Sequence, residues 1–402
     1  MIPFSPPRID EKTIQAVTEA LRSGWITTGP RTKLFEQNIL KYCSCQSVLC
    51  LNSATAGLEL VLRWFGVGEG DEVILPAYTY AATANVVVHC GATPVFADTQ
   101  SIDFNIDVQS VAQKITSRTK VIMPVDFAGL PCNYDQIMNL ALKNVSKFSP
   151  RSENQRKLGR MLVLADAAHS FGAVYQGKKT GSLTDISVFS FHAVKNLTTA
   201  EGGGMALNLP APFDNSEIYR EMNIKSLHGQ TKDALAKTRK GEWRYDIIEA
   251  GYKCNMPDVL AAIGLTELER YDNDTIPRRK QIAEYYHKAF SKYIWAELPL
   301  LKDGFRESSY HLYPLRIKNI GEEQRDEIIR RIFEKEVSVN VHFIPLPMMS
   351  FYKNMGFRIT DYPVAYNNYS REISLPVYYT LSDEQLKAIT GVVAGSVEEV
   401  LS

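Results

Sequence analysis

The chemistry of this chain is concentrated in Ser190-Phe-His-Ala-Val-Lys195-Asn-Leu-Thr-Thr-Ala-Glu-Gly-Gly-Gly204. One lysine, Lys195, stands between small hydroxyl and apolar residues and a triple glycine. The apolar run Ile186, Val188 and Phe189 precedes it, so the lysine leaves the end of a buried strand. Burial favours the neutral form of an amine. A neutral amine at a strand end is what Schiff-base chemistry requires. Upstream, Val163-Leu-Ala-Asp166 is a second apolar run and ends in an acid. Together they are the protein parts expected of a pyridoxal phosphate enzyme: an amine for the aldehyde and a carboxylate for the pyridinium nitrogen.

Other residues fit around this pair. Leu51-Asn-Ser-Ala-Thr-Ala-Gly57 joins a strand to a helix through small residues. Bare backbone N–H groups and the positive end of a helix suit a phosphate there. Ser190 and the Thr55 hydroxyl are candidates to complete the cradle. The turn lacks the Walker and GxGxxG patterns, and a plain helix cap would read the same. A buried carboxylate such as Asp166 is costly unless paired. Facing a protonated ring nitrogen, it gains a charge-assisted bond of about 1.5–3 kcal/mol. Capping the next helix is its alternative role. His169 would lie on the same side, within reach of the cofactor ring or its hydroxyl. Tyr80, in Pro76-Ala-Tyr-Thr-Tyr-Ala-Ala82, follows another strand and could stack on the pyridine face, with core packing as the competing reading.

Residues at strand ends need a sheet to hold them. Apolar runs at 47–51, 72–76, 93–97, 120–124 and 161–165 alternate with helical patterns at 56–65, 80–90 and 134–142. Continuous apolar strands separated by helices predict an α/β fold, with a mostly parallel sheet covered on both faces. Ligands gather at the carboxyl ends of such strands, where Asp166 and Lys195 fall. The basic stretch 144–160 reads as a solvated surface loop. Helical spacing covers 258–271 and 276–290. Beyond about 308 the pattern becomes a smaller α+β unit. Strands are expected at 311–317 and 337–344, and helices at 324–334 and 381–400, the last capped by Ser382. The expected division is 1–260 for the large cofactor-binding domain and 261–402 for the linking helix and small domain.

Composition narrows the partners. The chain has 402 residues, with 45 basic and 45 acidic side chains. That balance gives no electrostatic reason to expect nucleic acid or an anionic membrane. No signal core and no spanning segment are evident. Cys43, Cys45, Cys50, Cys90, Cys132 and Cys254 form no CxxC pair, so no metal site is expected and free thiols in a reducing cytoplasm fit best.

The ordered motifs resemble those of the DegT/StrS-type nucleotide-sugar aminotransferases of fold-type I. The resemblance runs through Ser23-Gly-Trp-Ile-Thr-Thr-Gly-Pro30, Asn52-Ser-Ala-Thr-Ala-Gly-Leu58 and Gly91-Ala-Thr-Pro-Val-Phe-Ala-Asp98. It is sharpest at Asp166-Ala-Ala-His-Ser170 and around Lys195. It continues at Gly251-Tyr-Lys-Cys-Asn-Met-Pro-Asp258, Tyr310-His-Leu-Tyr-Pro314, Val341-His-Phe-Ile-Pro345 and Ile373-Ser-Leu-Pro376. It implies an aspartate aminotransferase-like fold, with a seven-stranded-type sheet and a small C-terminal domain. It implies that Lys195 carries pyridoxal 5′-phosphate and serves as acid and base. Asp166 would be the pyridinium partner, with Tyr80 stacking and His169 beside the ring. Thr55, Ala56 and Ser190 would hold the phosphate.

The resemblance further implies a cytoplasmic homodimer with shared active sites, in which the 251–258 loop reaches the partner's phosphate. Lys253 and Asn255 both occupy that loop where Gly-Tyr-Asn is the commoner form. The expected reaction moves an amino group from glutamate to a nucleotide-linked keto sugar, for glycan, lipopolysaccharide or secondary-metabolite synthesis. His311, His342 and Phe343 are candidates for lining the sugar and nucleotide groove. Relatives that act as dehydratases carry histidine in place of the lysine, and Lys195 argues against that branch. Two alternatives remain: an aminotransferase acting on a non-sugar cyclic ketone, and a regulatory protein that binds the cofactor without turnover.

Overall fold

In a computed structural model, residues 1–232 and 243–402 are described. The central sheet contains β1 (Ser47–Leu51), β2 (Glu72–Pro76), β3 (Thr93–Ala97), β4 (Thr119–Ile122) and β5 (Leu162–Asp166). After the short strands β6 (Val174–Tyr175) and β7 (Lys178–Lys179) come β8 (Ile186–Ser190) and β9 (Gly203–Leu207). The order across the seven-stranded sheet is β1-β9-β8-β5-β4-β2-β3. The pairs from β3 through to β8 are parallel. β9 runs antiparallel to both β8 and β1.

Alternation along β5 explains why both faces are covered. Leu162 and Leu164 enter one apolar cluster, with Leu58, Val61 and Ala84 from the helices Ala54–Trp64 and Ala81–His89. Val163 and Ala165 enter another, with Val111, Ile137 and Ala141. A strand buried on both sides must be apolar at every position, which is the pattern the sequence carries.

A third apolar cluster fills the C-terminal unit. There β10 (Ala296–Glu297), β12 (Tyr313–Ile317) and β13 (Glu372–Leu375) form an antiparallel sheet. β11 (Arg306–Glu307) instead joins β6. The helices Ile276–Phe290, Glu322–Glu334 and Asp383–Leu401 complete the unit, and Ser382 caps the last with a capping box.

Two sequence expectations change, and one strand is new. The basic stretch at 144–160 is not a plain loop: it contains the helix Glu153–Leu158, capped by Ser152. Arg160 is buried and pairs with Asp185 through two bonds of 2.6 and 2.7 Å. The region 337–344 forms isolated bridges rather than a strand, because the amino terminus and β13 share its backbone through Ile2↔Val337 and Asn340↔Ser374. The antiparallel β9 grows out of the triple glycine, whose lack of side chains hides a strand from any apolar pattern.

Candidate active site

Three elements meet at the carboxyl end of the sheet. β5 ends at Asp166, β8 ends at Ser190, and the helix Ala54–Trp64 begins beside them. Gly203 lets them meet. A Cβ on it would lie 2.5 Å from the Ala54 nitrogen and from the Ser53 carbonyl carbon. Only a residue without a side chain allows β9 to touch the first turn of that helix. Ser53 caps the turn by accepting the Ala56 N–H at 3.1 Å. The Ala56 amide is therefore used within the cap, while Ser53, Ala54 and Thr55 form the cavity wall.

The cavity is roughly 370 Å3. Lys195, Asp166, His169, Thr55, Tyr80, Ser190, His311, His342 and Phe343 all line it. Lys195 lies in the turn after β8, its N–H bonded to the His192 carbonyl at 2.9 Å. Burial lowers the pKa of its amine to about 8, and the nearby charge of Asp166 only partly opposes this. Asp166 is buried, which raises its pKa; bonds from Thr83 Oγ1 (2.8 Å) and the Ala168 N–H (3.3 Å) and the charge of Lys195 pull the other way. The pair thus offers a readily neutral amine beside a carboxylate held by donors.

Aromatic rings form the opposite wall. The His169 ring stacks on Phe343 at 5.9 Å and lies 4.3 Å from the His311 ring. Burial pushes both histidines well below their usual pKa, so they are neutral. His169 Nδ1 is buried without a hydrogen-bond partner. His311 Nδ1 is 2.9 Å from Asn196 Oδ1, next to the lysine in sequence. Tyr80 is 64 % exposed, with its ring 5.8 Å from Phe343, so it stands at the mouth rather than in the core.

Lys253 and Asn255 lie apart from this wall. The Lys253 ammonium donates to Asn255 Oδ1, and Asn255 Nδ2 donates to Thr28 Oγ1 at 2.5 Å. Asp258 accepts the Gly29 and Thr32 N–H groups at 2.7 and 2.9 Å. Two separate sequence motifs are thereby bolted into one surface. No group that could hold a metal ion occurs among the described residues, and all six cysteines are free.

Several lining or supporting residues escape the sequence reading. Thr83 sits on the first turn of the helix after Tyr80, one residue beyond the motif that holds that tyrosine. Phe4 and Ser5 reach the cavity from the amino terminus, which a search for leader peptides passes over. Glu372 and Ser374 alternate with Ile373 and Leu375 on β13, a period-two polar face that marks a buried polar cluster.

Comparison with known proteins bears on the whole arrangement. The sequence pattern of the DegT/DnrJ/EryC1/StrS aminotransferase family matches residues 7–394. Spr1654 of Streptococcus pneumoniae, assigned as a sugar aminotransferase and solved in its PMP-form, superposes with a TM-score of 0.96 at 45% identity, covering 100% of both chains. The spore coat polysaccharide biosynthesis protein SpsC of Bacillus subtilis is 36% identical over 98% of each chain. The UDP-4-amino-4-deoxy-L-arabinose–oxoglutarate aminotransferase of Shewanella sediminis is 34% identical over 88% of this chain and 85% of its own. Agreement of this extent, from the amino-terminal turns through the strand-end lysine to β13, makes the chain a member of the DegT/DnrJ/EryC1/StrS aminotransferase family.

Proposed function

We propose that the protein is a pyridoxal 5′-phosphate-dependent sugar aminotransferase. It moves an amino group from glutamate to a nucleotide-linked keto sugar, and the product is an amino sugar for glycan, lipopolysaccharide or secondary-metabolite synthesis. The observation that carries this reading is the pairing of Lys195 and Asp166 at the ends of neighbouring parallel strands, in one cavity. The names of two relatives, one in polysaccharide biosynthesis and one a sugar–oxoglutarate aminotransferase, support the substrate class and the donor.

The residues present fit the cofactor. An open helix end lined by Thr55 and Ser190 suits its phosphate. The buried Asp166 suits its ring nitrogen, and the unpartnered His169 Nδ1 supplies a polar atom toward its ring or hydroxyl. Tyr80 is assigned to the exposed ring face. When bound, the cofactor supplies an aldehyde carbon for the amino group and a ring that holds the electrons left when a substrate carbon loses its proton.

The chain does the rest. Lys195 Nζ, whose pKa burial lowers to about 8, has a substantial neutral fraction near neutral pH and would take the proton from the substrate carbon. Asp166, oriented by Thr83, keeps negative charge where a protonated nitrogen needs it. His169, His311 and Phe343 narrow the cavity and exclude water. In this reading residues 1–260 carry the cofactor, and the small unit at 261–402 contributes His311, His342 and Phe343 to the sugar and nucleotide groove.

The working form is a cytoplasmic homodimer with shared sites. The 251–258 loop reaches across to the partner's cofactor phosphate. Both polar groups of Asn255 are engaged within the chain, so the exposed Lys253 ammonium keeps donors to spare for that contact.

The test is an absorbance spectrum of the protein with pyridoxal 5′-phosphate, before and after glutamate, beside Lys195→Ala. A visible band that glutamate bleaches, absent from the variant, is expected. Folded wild-type protein with no band would overturn the cofactor assignment. A band unmoved by glutamate would overturn the donor.

A further inference from the structure

Glu372 opens β13 and is fully buried (0 % exposed). Its Oε2 accepts the backbone N–H of His342 at 3.0 Å, and its Oε1 accepts the Ser374 hydroxyl. Ser374 Oγ in turn lies 2.9 Å from His342 Nδ1. Phe4 stacks on the imidazole with centroids 5.5 Å apart, and the Tyr78 hydroxyl bonds to the His342 carbonyl at 2.5 Å. The ring is therefore fixed with Nδ1 turned toward Ser374, in a residue that lines the same cavity as Lys195.

A hydroxyl has one proton to give. While Ser374 gives it to an ionised Glu372, His342 must carry its own proton on Nδ1, and Nε2 is a bare acceptor. With a proton on Glu372 the directions reverse. Glu372 donates to Ser374, Ser374 donates to Nδ1, and the ring proton sits on Nε2.

We propose that His342, Ser374 and Glu372 form a proton relay through which the cavity exchanges one proton with Glu372, a positioning residue that acts through the histidine. A proton taken up at Nε2 frees the Nδ1 proton to Ser374 Oγ, and the hydroxyl's former proton passes to Glu372 Oε1. One proton enters, three atoms exchange partners, and the imidazole stays neutral throughout.

The surrounding charges favour this route over a cationic histidine. Burial and the facing Lys195 hold the His342 pKa down to about 3. His169 and His311 line the same cavity and, held neutral by burial, add no charge of their own. Arg325 from the helix Glu322–Glu334 and Arg316 from β12 face Glu372 and favour its carboxylate, but burial outweighs them and lifts it to about 8. Tyr78 faces the same group. Both relay states are thus within reach of neutral pH. The inference rests on the aminotransferase reading for the substrate group, a hydroxyl or amine of the sugar, that exchanges the proton.

The test is the 15N resonances of His342 in cofactor-loaded protein labelled at histidine, followed from pH 6 to 10. In the wild type the proton is expected on Nε2 at low pH and on Nδ1 at high pH. In Glu372→Gln the amide oxygen takes the His342 N–H and its NH2 donates to Ser374, so the proton should stay on Nε2 at every pH. Ser374→Ala, which leaves Glu372 in place, should abolish the exchange as well. A wild-type pattern that does not move with pH overturns the relay. So does an exchange that persists in Ser374→Ala or in a folded Glu372→Gln. Failure of the aminotransferase reading shows separately, as folded wild-type protein that forms no visible band with pyridoxal 5′-phosphate.

Discussion

Gly203→Ala would separate the sheet from the helix end it supports. The new Cβ would lie 2.5 Å from the Ala54 nitrogen and 2.6 Å from the Ser53 oxygen. Both are backbone atoms, with no flexible side chain to give way. Ordinary contact begins near 3.4 Å, so the Ser53–Ala54 turn must retreat by about 0.9 Å, an overpacking that costs about 1–3 kcal/mol. A shift of that size exceeds the roughly 0.6 Å of slack in a hydrogen bond, so an N–H of this turn that would hold the cofactor phosphate would lose it. One charge-assisted bond of about 1.5–3 kcal/mol is lost, so cofactor affinity should fall about 10- to 100-fold. The control is Gly395→Ala, in the helix Asp383–Leu401 with nothing within 4 Å of the added carbon. It should leave binding alone and stabilise by about 0.5–1 kcal/mol. The assay is titration of cofactor-free protein with pyridoxal 5′-phosphate, with melting curves in its presence and absence. A Gly203→Ala protein that binds and melts like the wild type would refute the argument.

Four other outcomes are expected. In cofactor-free protein, acylation of Lys195 should rise about tenfold per pH unit and level off near pH 8, whereas an ordinary lysine keeps rising toward about 10.4; peptide mass spectrometry across pH checks this. Asp166→Asn should retain the cofactor but slow its reaction with glutamate about 10- to 100-fold in stopped flow. Thr83→Val, which removes the 2.8 Å donor, should raise the Asp166 pKa further, so activity fails at a higher pH as the solution is acidified. Arg160→Ala leaves Asp185 buried without its partner and should cost about 3–5 kcal/mol in urea denaturation.

The fold was legible where burial is two-sided. β1, β2 and β3 have the expected bounds, because an unbroken apolar run between helical patterns has few other uses. β9 was not legible, since its glycines are chosen for what they allow to approach and carry no hydrophobic signal. The Arg160–Asp185 pair was hidden for the opposite reason: a basic residue in a polar stretch reads as solvated until its distant partner is known. In the site, Lys195 and Asp166 stand out because a charged group ending an apolar strand is rare. Thr83, Asn196 and Glu372 do not, because their importance lies in a bond to a residue far away in the chain. Phe4 reaches the cavity beside the pairing of Ile2 with Val337, a contact that no local pattern encodes.

The place of β9 in the sheet has a consequence for the birth of the molecule. Among the described residues β1 joins the sheet only through β9, and Gly203 pairs with both Leu51 of β1 and Ser190 of β8. When the ribosome has released Lys195, the reactive amine exists but its loop has no far end. The first strand is still waiting for a neighbour encoded much later. Such long-range closure is slow and comes after the local helices have formed. Capacity to hold the cofactor should therefore lag behind secondary structure during refolding, and a coloured protein is one whose sheet has already closed.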